Sequence, residues 1–187
     1  MARTTGDAGC AVLQYFSIQQ LALIPPMHSS HSSISLRPTH VSDLPALAAF
    51  QSDPVANQMA AFTAPDPNDH AAYITKWTRL LADPSIVARV VLLDGKILGT
   101  VGSWVLHDER QVTYWMDRSV WGQGVATEAL RLFLAEYSER PLHGRLVADN
   151  IGSKRVLEKC GFVANGTDRG FAHARKTEVE ELLYILR

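Results

Sequence analysis

At 187 residues the chain is the size of one ordinary domain. Its 47% hydrophobic and 20% charged residues exclude wholesale disorder, and 18 Lys and Arg against 19 Asp and Glu give a net charge of -1, which excludes a globally basic nucleic-acid binder. The two cysteines, Cys10 and Cys160, form neither a C-x-x-C pair nor a zinc pattern, and read as free thiols of a reducing cytoplasm.

The apolar stretch from Ala8 to Ile24 is broken by Gln14, Gln19 and Gln20 and preceded by a single basic residue, Arg3, so it does not read as a membrane span. Pro25 to Ser33 has linker composition, and residues 1–33 are expected to be a flexible extension, with Gln14 to Leu23 as an alternative short helix and Met27 as an alternative start. His28 and His31 lie in that Ser-rich stretch without a nearby acid or thiol and are expected to be solvated.

Order is expected from residue 34 to 187. Ile34 to Arg37 alternates as a short strand, ended by Pro38. Ser42 or Asp43 is expected to cap a helix running to Gln51, with Val41, Leu44, Leu47 and Ala48 as its apolar side. Asp53-Pro54 and the run from Ala64 to Asp69 bracket a segment expected to be flexible. A helix follows with Tyr73, Ile74, Trp77, Leu80 and Leu81 at spacings of three and four. Ile86 to Leu93, the turn Asp94-Gly95, Ile97 to Leu106 and Gln111 to Asp117 form a three-stranded meander.

At Gly124 the period becomes helical, through Val125, Ala129, Leu130, Phe133, Leu134 and Tyr137. Leu142 to Ala148 is the next strand. Asn150 caps a helix whose Val156, Leu157 and Cys160 point inward, and Gly161 ends it. Strands beginning at Phe162–Val163 and spanning Val179 to Leu186 close the chain. The fold class is therefore a mixed α/β domain with a mostly antiparallel sheet of six to seven strands and about four helices.

The segment Arg118 to Glu128 leads from a strand through a glycine turn directly into a helix, so the amides of Gln123, Gly124, Val125, Ala126 and Thr127 converge at the positive helix end. That geometry suits an anion, with a tight structural turn at Gly122 and Gly124 as the alternative. Neither familiar phosphate loop fits. The Lys-Ser/Thr of the mononucleotide loop is missing, and Thr127 stands where the dinucleotide fingerprint needs a third glycine. Arg118, Lys154, Arg155 and Lys159 are placed near the same surface.

Trp121-Gly-Gln-Gly-Val-Ala-Thr-Glu-Ala129, followed by Asn150-Ile-Gly-Ser-Lys-Arg-Val-Leu-Glu-Lys-Cys-Gly-Phe162, resembles the GNAT superfamily of acetyl-CoA-dependent acetyltransferases, and within it the RimJ/RimL-like branch that acts on ribosomal-protein N-termini. The resemblance implies a GNAT-like acyl-CoA N-acyltransferase fold over residues 34–187 and acetyl-CoA as cofactor, with CoA as product. Gln123, Gly124, Val125, Ala126 and Thr127 would hold the pyrophosphate, and the sheet would splay between the strands ending near Asp117 and beginning at Leu142. Asn150 and Ser153 would contact the pantetheine and thiol end, with Ser153 as proton donor to the leaving thiolate. The tyrosine often found seven residues beyond the asparagine is Leu157 here, and the Glu common at the start of the meander's third strand is Gln111, which cannot accept a proton.

His107, Asp108, Glu109 and His173 remain substitutes for the base, each with an ordinary turn role as the alternative. Trp77, Phe62 and Met59 are candidates for the acceptor side, with core packing as the alternative for Trp77. An α-amine, with an ordinary pKa near 8 against about 10.4 for lysine, asks less of a weak base, which favours an N-terminal amine as acceptor. The expected protein is an acetyl-CoA-dependent N-acetyltransferase, a monomer or homodimer in the cytoplasm, with no metal, nucleic-acid or membrane partner. The competing readings are a transferase acting on a small-molecule amine and a CoA-binding module without turnover.

Overall fold

The computed structural model describes residues 33–187, so the expectations for residues 1–32 lie outside the described residues. Seven strands, β1 (Ile34–Pro38), β2 (Val87–Leu93), β3 (Lys96–Leu106), β4 (Glu109–Met116), β5 (Leu142–Val147), β6 (Val163–Ala172) and β7 (Thr177–Leu186), form one sheet in the order β1-β2-β3-β4-β5-β7-β6. Every neighbouring pair is antiparallel except β4 and β5, which run parallel and pair at a single position, Gln111 opposite His143. The meander β2 to β4 turns first at Asp94-Gly95, with φ of +50° and +81°, and then at His107-Asp108, with φ of +49° and +64°. Both are two-residue connections whose left-handed residues match the strand twist.

Five helices flank the sheet: α1 (Leu44–Gln51), α2 (Pro54–Ala60), α3 (His70–Leu81), α4 (Val125–Glu136) and α5 (Ile151–Lys159). One is more than the sequence reading gives. The segment after Asp53, expected to be flexible, is the helix α2, because the Asp53 carboxylate accepts from the amides of Val55 and Ala56 while Pro54 pre-sets the first helical φ. The helix is too short to display an apolar period, which is why periodicity passes over it.

The start of α1 also differs from expectation. A 3₁₀ turn at Val41–Asp43 precedes it and leaves Val41 exposed rather than on the apolar side. Asp43 occupies the cap position but spends its carboxylate elsewhere, on the guanidinium of Arg37 at 2.7 and 2.8 Å and on the His40 amide at 2.8 Å. The Arg37 hydrogen bonds hold this buried carboxyl below the usual range. Glu109 belongs to β4 rather than to the preceding turn, and β7 begins two residues before Val179, at Thr177.

The main core lies between the sheet and α4, α5. Val101, Val112, Leu142 and Leu146 of the strands meet Ala129, Leu130, Phe133 and Leu157 of the helices. Burying one such side chain is worth roughly 1.5–3 kcal/mol. On the opposite face a smaller cluster joins Leu44, Leu47 and Val90 to Tyr73, Ile74 and Trp77, as the spacing along α1 and α3 predicts. A third joins Ala61 at the end of α2 to Val147 and Ala172.

Candidate active site

Beyond Gln111 and His143 the parallel strands β4 and β5 part, and the gap becomes a cleft of about 650 Å³. A strand whose neighbour leaves keeps backbone donors and acceptors that a bound chain can pair with. Tyr114, Trp115 and Met116 of β4 form one wall, the turn from Trp121 and the start of α4 the floor, Asn150 to Val156 of α5 the other wall, and Ala56, Met59 and Ala60 of α2 the rim.

The glycine turn is set by backbone angles, not by crowding. Gly122 and Gly124 have φ of +74° and +83°, and a Cβ built on either meets nothing within 4 Å. Side chains there would be strained and would occupy the open space above the turn. Gly124 is the N-cap of α4 without a side-chain cap, so the first-turn amides have no intrahelical partners and face that space. The Gln123 carboxamide folds back to donate to the Ser119 carbonyl at 2.8 Å, leaving its backbone as the group the turn presents. Trp121 donates Nε1–H to the Met116 carbonyl at 3.1 Å and pins the turn to the end of β4. An anion of pyrophosphate size fits this nest by charge and by donor count.

At the other end, Asn150 caps α5. Its Oδ1 accepts from the Ser153 amide at 3.0 Å, and its Nδ2 donates to the Met59 carbonyl at 3.2 Å, so both halves of the carboxamide are engaged and couple α5 to α2. Ser153 lines the cleft, half-buried. Its carbonyl accepts the Tyr114 hydroxyl at 3.2 Å. Burial pushes the Tyr114 phenol far above its usual range, so it remains a donor at all working pH values. The sequence marks Tyr114 only as a strand-face aromatic, since alternation cannot tell a core face from a cleft wall. Leu157 is 2% exposed and turns to the sheet, where its Cδ1 would lie 2.9 Å from a Cβ on Gly144, so this side chain serves the core.

Of the basic residues singled out, Arg155 and Lys159 line the cleft, whereas Arg118 is taken by Asp53 at 2.6 Å. That pair ties the N-cap of α2 to the start of the glycine turn, and its hydrogen bond holds the Asp53 carboxyl below the usual range. The far end of α2 is held by Arg175, which donates to the Gln58 carbonyl at 2.9 Å and grips Asp149 with two bonds of 2.8 and 2.9 Å. Cys160 sits below the turn with its thiol 3.6 Å from the Thr127 carbonyl, and burial raises its pKa.

The acceptor-side candidates divide. Met59 lines the cleft, Trp77 packs against Tyr73 in the α1/α3 cluster, and Phe62 lies against Gly170 of β6. Gln111 is 2% exposed at the point where the strands part. His107 and Asp108 form the hairpin turn, and His173 stacks edge-on against Phe171 away from the cleft. No helix of the described residues is long and apolar enough to cross a membrane.

The acetyltransferase (GNAT) domain family matches residues 33–163. The probable N-acetyltransferase YjcK of Bacillus subtilis strain 168 is 34% identical over 84 residues, which are 41% of this chain and 46% of that protein, so the match spans about half the length of this curated relative. Among solved structures, the microcin C7 self-immunity acetyltransferase MccE in complex with acetyl-CoA and AMP superposes with a TM-score of 0.70 at 16% identity, over 82% of this chain and 91% of that one. RimL, the ribosomal L7/L12 α-N-protein acetyltransferase, in complex with CoA, gives 0.68 at 17% identity, over 84% and 96%. The fold is shared with both in nearly equal measure, so the architecture does not single out the RimJ/RimL-like branch. With the parted strands, the glycine turn and more than half of its length matched to one family, the chain belongs to the GNAT acetyltransferases.

Proposed function

We propose that the protein transfers the acetyl group of acetyl-CoA directly to a primary amine, and that the acceptor is the N-terminal α-amine of a protein or peptide, in the cytoplasm. One observation carries the reading: a single cleft has an anion nest at one end and, between parted strands, a serine in the first turn of a helix at the other. Acetyl-CoA supplies an activated acyl group, so the chain needs only to bind, orient and manage protons.

The amides of Gln123, Gly124, Val125, Ala126 and Thr127 would hold the pyrophosphate, and the free edges of β4 and β5 the pantetheine amides. Asn150 would act by fixing the first turn of α5 through its cap. Tyr114 supports that turn from below by holding the Ser153 carbonyl. Ser153 would then lend its hydroxyl proton to the departing sulfur. The α-amine is favoured over lysine because Gln111 offers no carboxylate at the parting of the strands and an α-amine needs less help to become neutral. RimL's action on a protein α-amine supports the same class.

The test is calorimetric titration with acetyl-CoA, followed by thiol release with free-amine peptides, their N-blocked counterparts carrying lysine, and small polyamines. Micromolar binding with turnover on free α-amines is expected. Turnover confined to small amines would move the acceptor class, and tight binding without thiol release would make the domain a CoA-binding module.

A further inference from the structure

On the sheet face that carries α2, a polar cluster stands beside the point where β4 and β5 part, and the chemistry above leaves it unused. Strand alternation puts Glu109, Gln111, Thr113 and Trp115 on one face of β4, and Trp115 lines the cleft. His143 of β5 lies opposite Gln111 on that face. Its side chain is 14% exposed, with Nδ1 3.5 Å from Oε2 of Glu109. The Gln111 carboxamide donates to the same oxygen at 3.4 Å. Glu109, His143, Arg145 and Asn165 border a second cavity of about 40 Å³, enough for a water with several polar partners.

Building on the acetyl-transfer reading, we infer that His143, oriented by Glu109, is the base that takes the proton of the acceptor amine through a chain of waters that begins in this cavity and follows the β4 face to the cleft. Gln111 cannot accept a proton, but it can hold Glu109 in place. A carboxylate beside Nδ1 favours the tautomer with its proton there and leaves Nε2 free to accept. Imidazole is the side chain that exchanges protons nearest neutral pH. Thr113, one alternation along β4 from Gln111, is about 7 Å further toward the cleft, and Trp115 beyond it lines the cleft, so the path along this face takes more than one water.

The charged groups around the imidazole leave Glu109 as its unshared partner. Arg145, next on the same face of β5, is met by Glu181 of β7 and by Asp168 of β6 at 2.6 Å, and His107 lies on the Asp168 side of that network. The Glu109 side chain is 52% exposed and gives the proton a way to solvent.

The protons balance. The ammonium passes one proton through these waters to His143 and on to solvent. The neutral nitrogen attacks the thioester carbonyl, the C–N bond forms and the C–S bond breaks. The sulfur takes the Ser153 hydroxyl proton, and the second amine proton restores that hydroxyl. One amide, one thiol and one released proton result.

Thiol release is measured from pH 6 to 9 with a short free-amine peptide and, separately, a small diamine. His143→Gln is expected to lower kcat/KM for the acceptor by about 10²- to 10³-fold at pH 7 and to leave the acetyl-CoA Kd within about twofold. The deficit should shrink as rising pH supplies neutral amine, and added imidazole should restore His143→Ala in proportion to its concentration. Glu109→Gln, on the exposed rim, should lose about 3- to 10-fold with the same pH trend, and it decides the matter where the His143 variants do not fold. Activity of His143→Gln within threefold of the parent, or an equal loss at every pH without imidazole rescue, overturns the base. A parent protein that binds acetyl-CoA but releases no thiol with either probe overturns the transferase reading beneath it, and the base with it.

Discussion

The floor of the cleft, which carries the start of α4, and the rim that carries α2 border the same gap, and they are held by different forces. In α4, Ala129, Leu130 and Phe133 are at most 1% exposed and pack on the central strands. In α2, Ala56 and Asn57 are buried, but the anchors are polar: Asp53 to Arg118 and Gln58 to Arg175 at the surface, and Met59 to Asn150 partly buried. Exposed ion pairs are worth about 1 kcal/mol or less each, whereas a buried aromatic is worth several times that. The glycine turn therefore leads into an element that opens only with the whole domain, and the rim is an element that can open locally.

The strongest way to break this comparison is Phe133→Ala. It should cost about 3–5 kcal/mol in denaturant unfolding, with cleft binding lost alongside the fold. A loss below 1 kcal/mol would show that α4 is no better anchored than α2.

Ser153→Ala sharpens the comparison chemically, since Ser153 lines the same cleft from α5. Turnover at saturating substrates should fall about 10- to 10³-fold while acetyl-CoA affinity moves by less than tenfold. An unchanged chemical step in stopped-flow mixing across pH 6 to 9 would leave Ser153 a helix-turn residue.

Gly124→Asp addresses the turn alone. A carboxylate above converging amides, at a φ of +83°, should raise the acetyl-CoA Kd by about 10- to 100-fold, with no more than about 1–2 kcal/mol lost from stability. A folded variant with the parent Kd would remove the turn from the binding site.

The smallest effect belongs to the rim. Arg175→Ala should lower global stability by less than about 1 kcal/mol, yet hydrogen exchange in α2 should quicken about tenfold and the acceptor KM should rise several-fold. Acid gives the same readout without a mutation. Asp53 and Asp149 have folded pKa values below the ordinary carboxylate value of about 3.9, so their pairs contribute fully above that value and are lost as pH falls through the lower folded values. Protection of α2 should thus fall below about pH 4 before that of α4. Simultaneous loss in both helices would make the rim part of the cooperative core.

Local signals were enough for much of this protein. Asp94-Gly95 marks a two-residue hairpin in any context, because the left-handed φ it needs is a property of those residues. The period from Val125 to Phe133 is a property of the helix it forms, and a Gly-x-Gly turn leading into it exposes first-turn amides wherever the chain goes. Asp53-Pro54 was an equally local helix start, legible in principle but masked by the missing apolar period of a seven-residue helix.

Other features depend on partners far along the chain. Asp43 reads as a helix cap until Arg37 of β1 takes its carboxylate, and Tyr114 reads as a strand aromatic until the Ser153 carbonyl stands above it. Glu109 is separated in sequence from His143, and the two meet because β4 and β5 run parallel and touch only at Gln111 and His143. By itself the sequence determined all of the main elements except α2, the glycine turn with its exposed first-turn amides, and the family resemblance, since each follows from torsions and periodicity within a few residues. The tertiary structure alone decided which side chains share the cleft, because strand order and the parting of β4 from β5 arise from packing across the whole sheet, where a one-residue change of register would send the β4 side chains of the cleft to the opposite face.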